Sequence, residues 1–161
     1  MKKILIIGGS KGIGNAILLQ QLESNTVYTI SRNAPEITHP NLTHFSLDVL
    51  QDTLPEIESL DSVIYCPGSI TLKPIGSLSI DDFRNDFEIN VIGAVKVIQK
   101  YLPNLKKGTN PSIVLFSSVA SIYTPTIARS PMSADGRRTD VGLKPKSATD
   151  GIVRYTYSGG L

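Results

Sequence analysis

Cysteine, histidine and an excess of one charge are all scarce in this chain of 161 residues. A single cysteine, Cys66, excludes an internal disulfide framework and makes the cytoplasm the expected location. Cys66 itself is predicted to be a small buried apolar residue. The two histidines, His39 and His44, show no recognised metal-ligand spacing, so no metal site is predicted. Sixteen basic and fourteen acidic residues leave a net charge of +2 without a dense basic run, which argues against a nucleic-acid partner.

Long apolar runs are also absent. No segment approaches the roughly 20 apolar residues that a membrane span requires, so no membrane partner is expected. The apolar run at residues 4–7 is too short for a signal peptide and runs into glycines, so the sequence does not predict secretion. The length and a hydrophobic content of 40% are typical of one soluble globular domain.

Strand-like and helix-like segments alternate along most of the chain. The strand-like segments are short, rich in β-branched and aromatic residues, and lie at 3–7, 26–30, 42–47, 60–66 and 112–116. A helix is predicted over residues 13–22, and a longer helix is predicted from its N-cap Ser79 to Pro103, with an apolar stripe at 83, 87, 91, 95, 98 and 102. This alternation predicts an α/β fold, a Rossmann-like doubly wound parallel sheet.

A glycine-rich loop joins the first strand to the first helix. Residues 8–14 read Gly-Gly-Ser-Lys-Gly-Ile-Gly. Backbone N–H groups of such a loop can approach a pyrophosphate, whose charge the positive end of the helix favours. Gly8 would permit the turn, Gly12 would leave room for the phosphates, and Gly14 would let the helix pack closely on the sheet. The predicted dinucleotide-binding residues of this loop are Gly8, Ser10, Lys11, Gly12, Ile13 and Gly14.

Five motifs, in sequence order, resemble those of the short-chain dehydrogenase/reductase family over residues 1–119. Residues 7–14 resemble the family's Thr-Gly-x-x-x-Gly-x-Gly, with isoleucine in place of threonine. Asp48 and Val49 resemble its Asp-Val pair, which contacts the adenine, and Gly68 is the one residue kept from its Asn-Asn-Ala-Gly motif. Asn90 matches the asparagine of the family's long interface helix, and Ser118 matches the catalytic serine.

The resemblance implies hydride transfer between a nicotinamide cofactor and a small carbonyl or alcohol substrate. In such enzymes a tyrosine is the acid/base, a lysine four residues later lowers its pKa, the serine steadies the substrate oxygen and the asparagine anchors a water. Ser118 and Asn90 are therefore the predicted catalytic residues. Counting from Ser118 puts the tyrosine and lysine positions at Ser130 and Ala134, and no Tyr-x-x-x-Lys occurs in the chain. Turnover is predicted to be impaired, since a serine hydroxyl cannot replace an activated tyrosine.

Charge at the end of the second strand predicts the cofactor. NAD-preferring sites of this type place an acidic residue there to bond the ribose 2′-hydroxyl, whereas this chain has Ser31 and Arg32. A guanidinium can bind a 2′-phosphate through two hydrogen bonds, and Lys11 would add a second cation nearby. The sequence therefore predicts NADP in preference to NAD.

The composition changes after residue 119. Residues 120–161 carry six basic and three acidic residues and no apolar residues at helical spacing. The chain is therefore divided into a dinucleotide-binding Rossmann domain, 1–119, and an atypical tail of low regularity, 120–161. The sheet is predicted to be incomplete at its carboxyl-terminal end, without a sixth strand.

Two alternatives to an impaired enzyme remain open: a non-catalytic dinucleotide-binding module, and the product of a truncated or frameshifted gene. One back-translation of residues 136–140, read one base later, gives Val-Glu-Gly-Leu-Thr, which resembles the helix after the family's catalytic lysine.

The resemblance also implies a homo-oligomer, because the family's long helix, which here contains Asn90, pairs with its copy across a dimer axis. Four apolar residues of this helix would then serve the interface as well as the core: Phe83, Phe87, Val91 and Val95.

Overall fold

A computed structural model describes residues 1–117 and the strand Ile152–Thr156. Its strands are β1 (Lys3–Ile7), β2 (Thr26–Ser31), β3 (Leu42–Ser46), β4 (Ser62–Tyr65), β5 (Ser112–Phe116) and β6 (Ile152–Thr156). Its helices are α1 (Gly12–Leu22), α2 (Ile80–Phe87) and α3 (Gly93–Leu105). A π-helical turn, Glu88–Ile92, joins α2 to α3, and a short 3-10 turn, Ile75–Ser77, precedes α2. The predicted strands and helices are all present.

The strands form one sheet in the order β3-β2-β1-β4-β5-β6. Strands β1 to β5 are parallel, which confirms the predicted doubly wound α/β sheet. Strand β6 pairs antiparallel with β5, with Ile113 opposite Tyr155. The expectation of no sixth strand is therefore wrong. The sequence of β6, Ile-Val-Arg-Tyr-Thr, has the β-branched and aromatic residues that are typical of a strand. Five residues are too few to show a repeating apolar pattern, which is why the sequence did not predict this edge strand.

Strand β1 lies inside the sheet and separates two apolar clusters. Leu5 and Ile7 belong to one cluster, which contains Tyr101 and other residues of α3. Ile4 and Ile6 belong to the other, which contains residues of α1. These four side chains are at most 4% exposed. An apolar run without polar alternation is what a strand covered on both faces requires.

The connections from β2 to β3 and from β3 to β4 contain no helix; they span residues 32–41 and 47–61. Side chains of α3 bond the carbonyl groups of the second connection, called here the β3–β4 loop. Tyr101 Oη donates to Pro55 O at 2.9 Å, and Asn104 Nδ2 donates to Ile57 O. Burial raises the pKa of Tyr101, which keeps its hydroxyl a donor. The loop therefore satisfies part of its backbone through a neighbouring helix.

The start of α2 confirms the predicted N-cap. Ser79 Oγ accepts a hydrogen bond from Asp82 N at 3.1 Å, and Asp82 Oδ2 accepts one from Ser79 N at 2.9 Å. This reciprocal capping box satisfies two N–H groups that the helix itself leaves unpaired.

The buried face of the long helix differs from the predicted stripe. Phe87 and Val95, expected in the core, are 51% and 43% exposed. The buried side chains of α3 are Ala94, Val97, Tyr101 and Leu105. Each step of four residues overshoots a 3.6-residue turn by about 40°, so a stripe drawn in fours leaves the buried face.

The prediction that the helix ends at Pro103 is wrong, because α3 continues to Leu105. A proline removes only its own N–H from the helix, and Leu105, at 2% exposed, gains burial by the continuation.

Candidate functional site

The predicted binding residues lie at one edge of the sheet. Because β1 to β4 are parallel, their carboxyl ends meet there, and Gly8, Arg32, Asp48 and Gly68 follow these ends. Strand β1 has β2 on one side and β4 on the other, so the order of the sheet reverses at β1. Open α/β sheets form a crevice at such a point, outside the carboxyl ends of the strands.

Two glycines of the loop between β1 and α1 are required by its geometry. Gly8 has a φ of +81°, and its N–H donates to Ile30 O at 2.8 Å, so the chain leaves β1 through a left-handed turn. A Cβ at Gly14 would lie 2.2 Å from Gly8 O, so α1 touches the loop backbone at this point. The turn at Gly8 and the close packing at Gly14 are those that the loop sequence predicts.

Gly12 and the start of α1 leave an open surface. Gly12 has a φ of +55°, and a Cβ there would meet nothing within 4 Å. Lys11 is the N-cap of α1, its side chain makes no capping hydrogen bond, and the first turn contains no acidic residue. Ser10 beside it is half-buried, and Ile13 is 62% exposed. Because the first N–H groups of a helix need acceptors, an uncapped start beside an open surface suits a phosphate.

Gly9 is a further constraint, which no spacing rule in the sequence singles out. A Cβ at Gly9 would lie 2.3 Å from Thr29 Oγ1 and 3.2 Å from Leu18 Cδ1. Thr29 on β2 is fully buried. The glycine loop therefore rests directly on the sheet, and the one available signal was a second glycine next to Gly8.

Two exposed basic residues border the crevice, Lys11 at the start of α1 and Arg32 after β2. Neither forms an ion pair with a carboxylate in the described part of the chain. The backbone at Arg32 is fixed, because its carbonyl accepts a hydrogen bond from Ser46 Oγ at 3.0 Å. Both cations are therefore available to an anionic ligand.

Asp48 and Val49 lie in a closed turn near the start of the β3–β4 loop. Leu50 N donates to Asp48 Oδ1 at 2.9 Å, and Asp52 N donates to Asp48 O at 2.8 Å. In return, Asp48 N donates to Asp52 Oδ2 at 2.7 Å. Val49 is buried. No described residue donates to the second carboxylate oxygen of Asp48, so one acceptor stays available where β3 ends.

Asn90 links the π-helical turn to the chain that follows β4. Its Oδ1 accepts a hydrogen bond from Ser69 N at 2.9 Å, and its Nδ2 donates to Ser69 O at 2.7 Å. A Cβ at Gly68 would lie 3.5 Å from Asn90 Oδ1, so these two predicted site residues are neighbours. The Asn90 side chain therefore holds the loop beyond Gly68.

Asp86 of α2 holds the same loop. Its Oδ1 accepts a hydrogen bond from Ser69 Oγ, and its Oδ2 accepts one from Thr71 N at 2.8 Å. These bonds, above all the one from Ser69, lower the pKa of the Asp86 carboxyl. Two side chains on adjoining turns thus fix the segment that leaves β4.

Tyr65, at the end of β4, contacts the π-helical turn. Its Oη donates to Ile89 O at 2.6 Å. This carbonyl can accept the bond because Gly93 N bonds Glu88 O, five residues back, instead of Ile89 O. A Cβ at Gly93 would lie 2.3 Å from Tyr65 Oη, so the contact requires glycine. Burial, with a contribution from the Asp48 carboxylate, raises the pKa of Tyr65 to about 12 and keeps the phenol a donor.

The predicted serine, Ser118, lies outside the described residues, as do Ser130 and Ala134. Burial raises the pKa of the Cys66 thiol to about 11, which opposes a nucleophilic role. In the described ranges, no group of three histidine, cysteine or acidic side chains could hold a metal ion. None of the described helices has the length and apolar character needed to cross a bilayer.

Sequence comparison matches residues 43–134 to the family model of the short chain dehydrogenases. The chain is 30% identical over 118 residues to benzil reductase ((S)-benzoin forming) of Bacillus subtilis, covering 63% of this chain and 48% of that protein. It is 33% identical over 138 residues to an uncharacterized oxidoreductase of Schizosaccharomyces pombe, covering 75% of this chain and 55% of that protein. The chain thus spans about half the length of the curated relatives it matches.

Structural comparison agrees with the sequence comparison. A short chain dehydrogenase family protein from Francisella tularensis superposes with a TM-score of 0.67 at 22% identity, covering 80% of this chain and 55% of that one. At this identity the likeness shows the fold alone. The family match extends over more than half of the sequence and agrees with the parallel sheet described above. The chain therefore belongs to the short chain dehydrogenase family.

Proposed function

We propose that this chain binds NADP(H) in the crevice at the carboxyl ends of β1 and β2. The observation that carries the proposal is the uncapped start of α1 beside the open surface at Gly12. Backbone N–H groups without side-chain acceptors, at the positive end of a helix, are suited to a pyrophosphate. Members of this family bind NAD(P), which fits such a cradle.

The unpaired cations favour NADP over NAD in this proposal. Arg32 follows β2, where an acidic residue would repel a 2′-phosphate, and Lys11 lies in the glycine loop. Neither side chain has a described anionic partner. The adenine would lie against Asp48 and Val49, and Gly68 would border the cofactor at the end of β4.

The reaction we propose for this site is hydride transfer to or from a small carbonyl or alcohol, at an impaired rate. Bound NADPH would supply the hydride, and the protein would have to supply a proton. Ser118 and Asn90 are the proposed remaining site residues. Since the chain contains no Tyr-x-x-x-Lys, no activated tyrosine is available as the proton donor.

Fluorescence titration with NADPH and NADH tests the binding. Loss of a charge-assisted bond in Arg32→Ala should weaken the binding of NADPH about tenfold or more and change the affinity for NADH little. The matched control is Arg84→Ala, which alters an exposed arginine paired with Asp81 on α2 and should leave both affinities unchanged. A clear preference of the unmodified protein for NADH would contradict the NADP assignment.

Consumption of NADPH with a panel of ketones and aldehydes separates the remaining functions. Binding without consumption supports a non-catalytic module, and slow consumption supports an impaired enzyme. Rapid consumption would overturn the impairment. A protein that neither binds nor consumes NADPH would favour a frameshifted product. An open downstream reading frame in the encoding DNA would then establish it.

We also infer that two copies of the chain associate through α2 and α3. Four apolar side chains of this region are between 39% and 51% exposed: Phe87, Ile92, Val95 and Leu102. Exposed apolar surface is typical of protein interfaces. Light scattering should show a dimer that Val95→Glu converts to a monomer, whereas Gln20→Glu on the exposed side of α1 should not. A monomeric unmodified protein would refute the association.

A further inference from the structure

The first turn of the β3–β4 loop is bonded to α3 through one side chain, that of Lys96. Its ammonium donates to Leu50 O at 2.9 Å and to Asp52 O at 3.0 Å. Both carbonyl groups belong to the turn that Asp48 begins. A charged donor therefore links two neighbouring points of this turn to a helix far away in the sequence.

The same two residues are bonded to Asp48 through their N–H groups. Leu50 N donates to the Asp48 carboxylate at 2.9 Å, and Asp52 N donates to Asp48 O at 2.8 Å. Leu50 and Asp52 thus connect Asp48 on one side to Lys96 on the other. A shift of these residues would move the carboxylate of Asp48 with them.

Packing holds Lys96 and the turn at short range. Gly93 lies three residues before Lys96 on α3, and residues three apart share a helix face. A Cβ at Gly93 would lie 3.0 Å from Leu50 Cδ2. The helix therefore contacts the turn at two points, an apolar contact at Gly93 and a polar contact at Lys96.

Within the described residues, Lys96 has no anionic partner, and no other side chain bonds the carbonyls of Leu50 and Asp52. The three ion pairs there involve other basic residues. The remaining α3 donors to the loop, Lys100, Tyr101 and Asn104, reach only residues 55–58, as does Lys107 just after the helix. Hydrogen bonds from a charged donor are roughly twice as strong as neutral ones. Lys96 is therefore the side chain that fixes the Asp48 end of the loop.

We propose that Lys96 is a positioning residue for adenine recognition. By holding the carbonyls of Leu50 and Asp52, it fixes the Asp48 carboxylate where its second oxygen accepts a hydrogen bond from the 6-amino group of adenine. The proposal rests on the proposed function, because Asp48 meets adenine only when the chain binds a dinucleotide. Selectivity for the base then depends on a residue that does not touch the cofactor.

Lys96→Met tests this, because it keeps the length of the side chain and removes its donors and charge. The protein is titrated with NADPH and with the hypoxanthine analogue of NADPH, in which a carbonyl replaces the amino group. The unmodified chain should bind NADPH about tenfold more tightly than the analogue, the worth of one charge-assisted hydrogen bond. In Lys96→Met this ratio should fall to about twofold or less, and Lys96→Arg should restore most of it.

Lys107→Met is the matched control, since Lys107 donates to Glu58 O at 3.4 Å, beyond the turn. It should keep the full ratio between the two nucleotides. General loosening of the loop would weaken the binding of both nucleotides alike and leave the ratio of their affinities unchanged. The ratio therefore distinguishes a positioning role of Lys96 from a general effect on stability. Urea unfolding checks each variant, and Lys96→Gln, with an expected intermediate ratio, replaces Lys96→Met if the latter does not fold.

Each outcome bears on one of the two proposals. If the unmodified chain and Lys96→Met both bind NADPH more tightly than the analogue by the same ratio, the role of Lys96 is overturned. The proposal of cofactor binding is then unaffected. Equal loss of the ratio in Lys96→Met and Lys107→Met also overturns that role, as does an unmodified chain that binds both nucleotides equally. An unmodified chain that binds neither nucleotide overturns the proposed function and this inference with it.

Discussion

Alanine at Gly14 is expected to destabilise the protein through direct overlap with the glycine loop. The added Cβ would lie 2.2 Å from Gly8 O, 2.9 Å from Gly8 C and 3.3 Å from Cys66 Cβ. The two shortest contacts are to backbone, so no change of rotamer can relieve them. Helix α1 or the loop would have to move by about 1 Å to reach ordinary van der Waals separation.

Overpacking of this kind typically costs about 1–3 kcal/mol of unfolding free energy. For a domain of this size each kcal/mol lowers Tm by about 2–4 °C, so Gly14→Ala should melt about 2–12 °C below the unmodified protein. Urea unfolding followed by circular dichroism measures the same loss independently. Because the N–H groups at the start of α1 move with the helix, NADPH affinity should fall as well.

Two further glycines provide matched controls for the same substitution. A Cβ at Gly76 would meet nothing within 4 Å, and its φ is not positive, so Gly76→Ala should stay within about 0.5 kcal/mol of the unmodified protein. A Cβ at Gly12 is equally free of contacts, but its φ of +55° should cost an alanine about 1–2 kcal/mol. A Gly14→Ala protein as stable as Gly76→Ala would refute the overlap argument.

Two other predictions concern side chains that hold the loop after β4 and the start of α2. Tyr65→Phe leaves Ile89 O without its hydroxyl partner and should lower the free energy of unfolding in urea by about 1–3 kcal/mol. The hydroxyl of Tyr28 bonds no described residue, so Tyr28→Phe should change the free energy of unfolding very little. Equal effects of the two substitutions would contradict the role of the bond. The N–H and hydroxyl of Ser79, with Lys73, lower the pKa of Asp82 to about 2 from an ordinary 3.8, so its stabilisation is complete above about pH 4 and is lost as the pH falls toward 2. The difference in Tm between the unmodified protein and Asp82→Asn should therefore narrow over that range, and a constant difference would count against it.

The features that could be predicted from sequence depend on neighbours along the chain. The apolar run of β1, the glycines around Gly12 and the cap at Ser79 are local patterns with direct structural meanings. The parallel sheet could be predicted because segments that alternate between strand and helix along the chain admit few arrangements. The family and its fold could be predicted for the same reason.

The features that escaped prediction depend on which distant residues become neighbours. The bond from Tyr65 to Ile89 forms because a π-helical turn frees one carbonyl, and no residue pattern announces that turn. Lys96 looks like an ordinary surface lysine until the β3–β4 loop is placed beside α3. The assignment of Arg32 to a 2′-phosphate stays a prediction, since it depends on a cofactor contact and not on the fold.

The helix-free β3–β4 loop carries little of its own folding information. Several of its carbonyl partners, including Lys96, Tyr101 and Asn104, are encoded in α3, more than 40 positions later in the chain. A peptide of residues 47–61 should therefore be unstructured in isolation, and grafting it into a related dehydrogenase should fail unless the matching face of α3 is grafted too. For protein engineering, this loop and that helix face form one transferable unit.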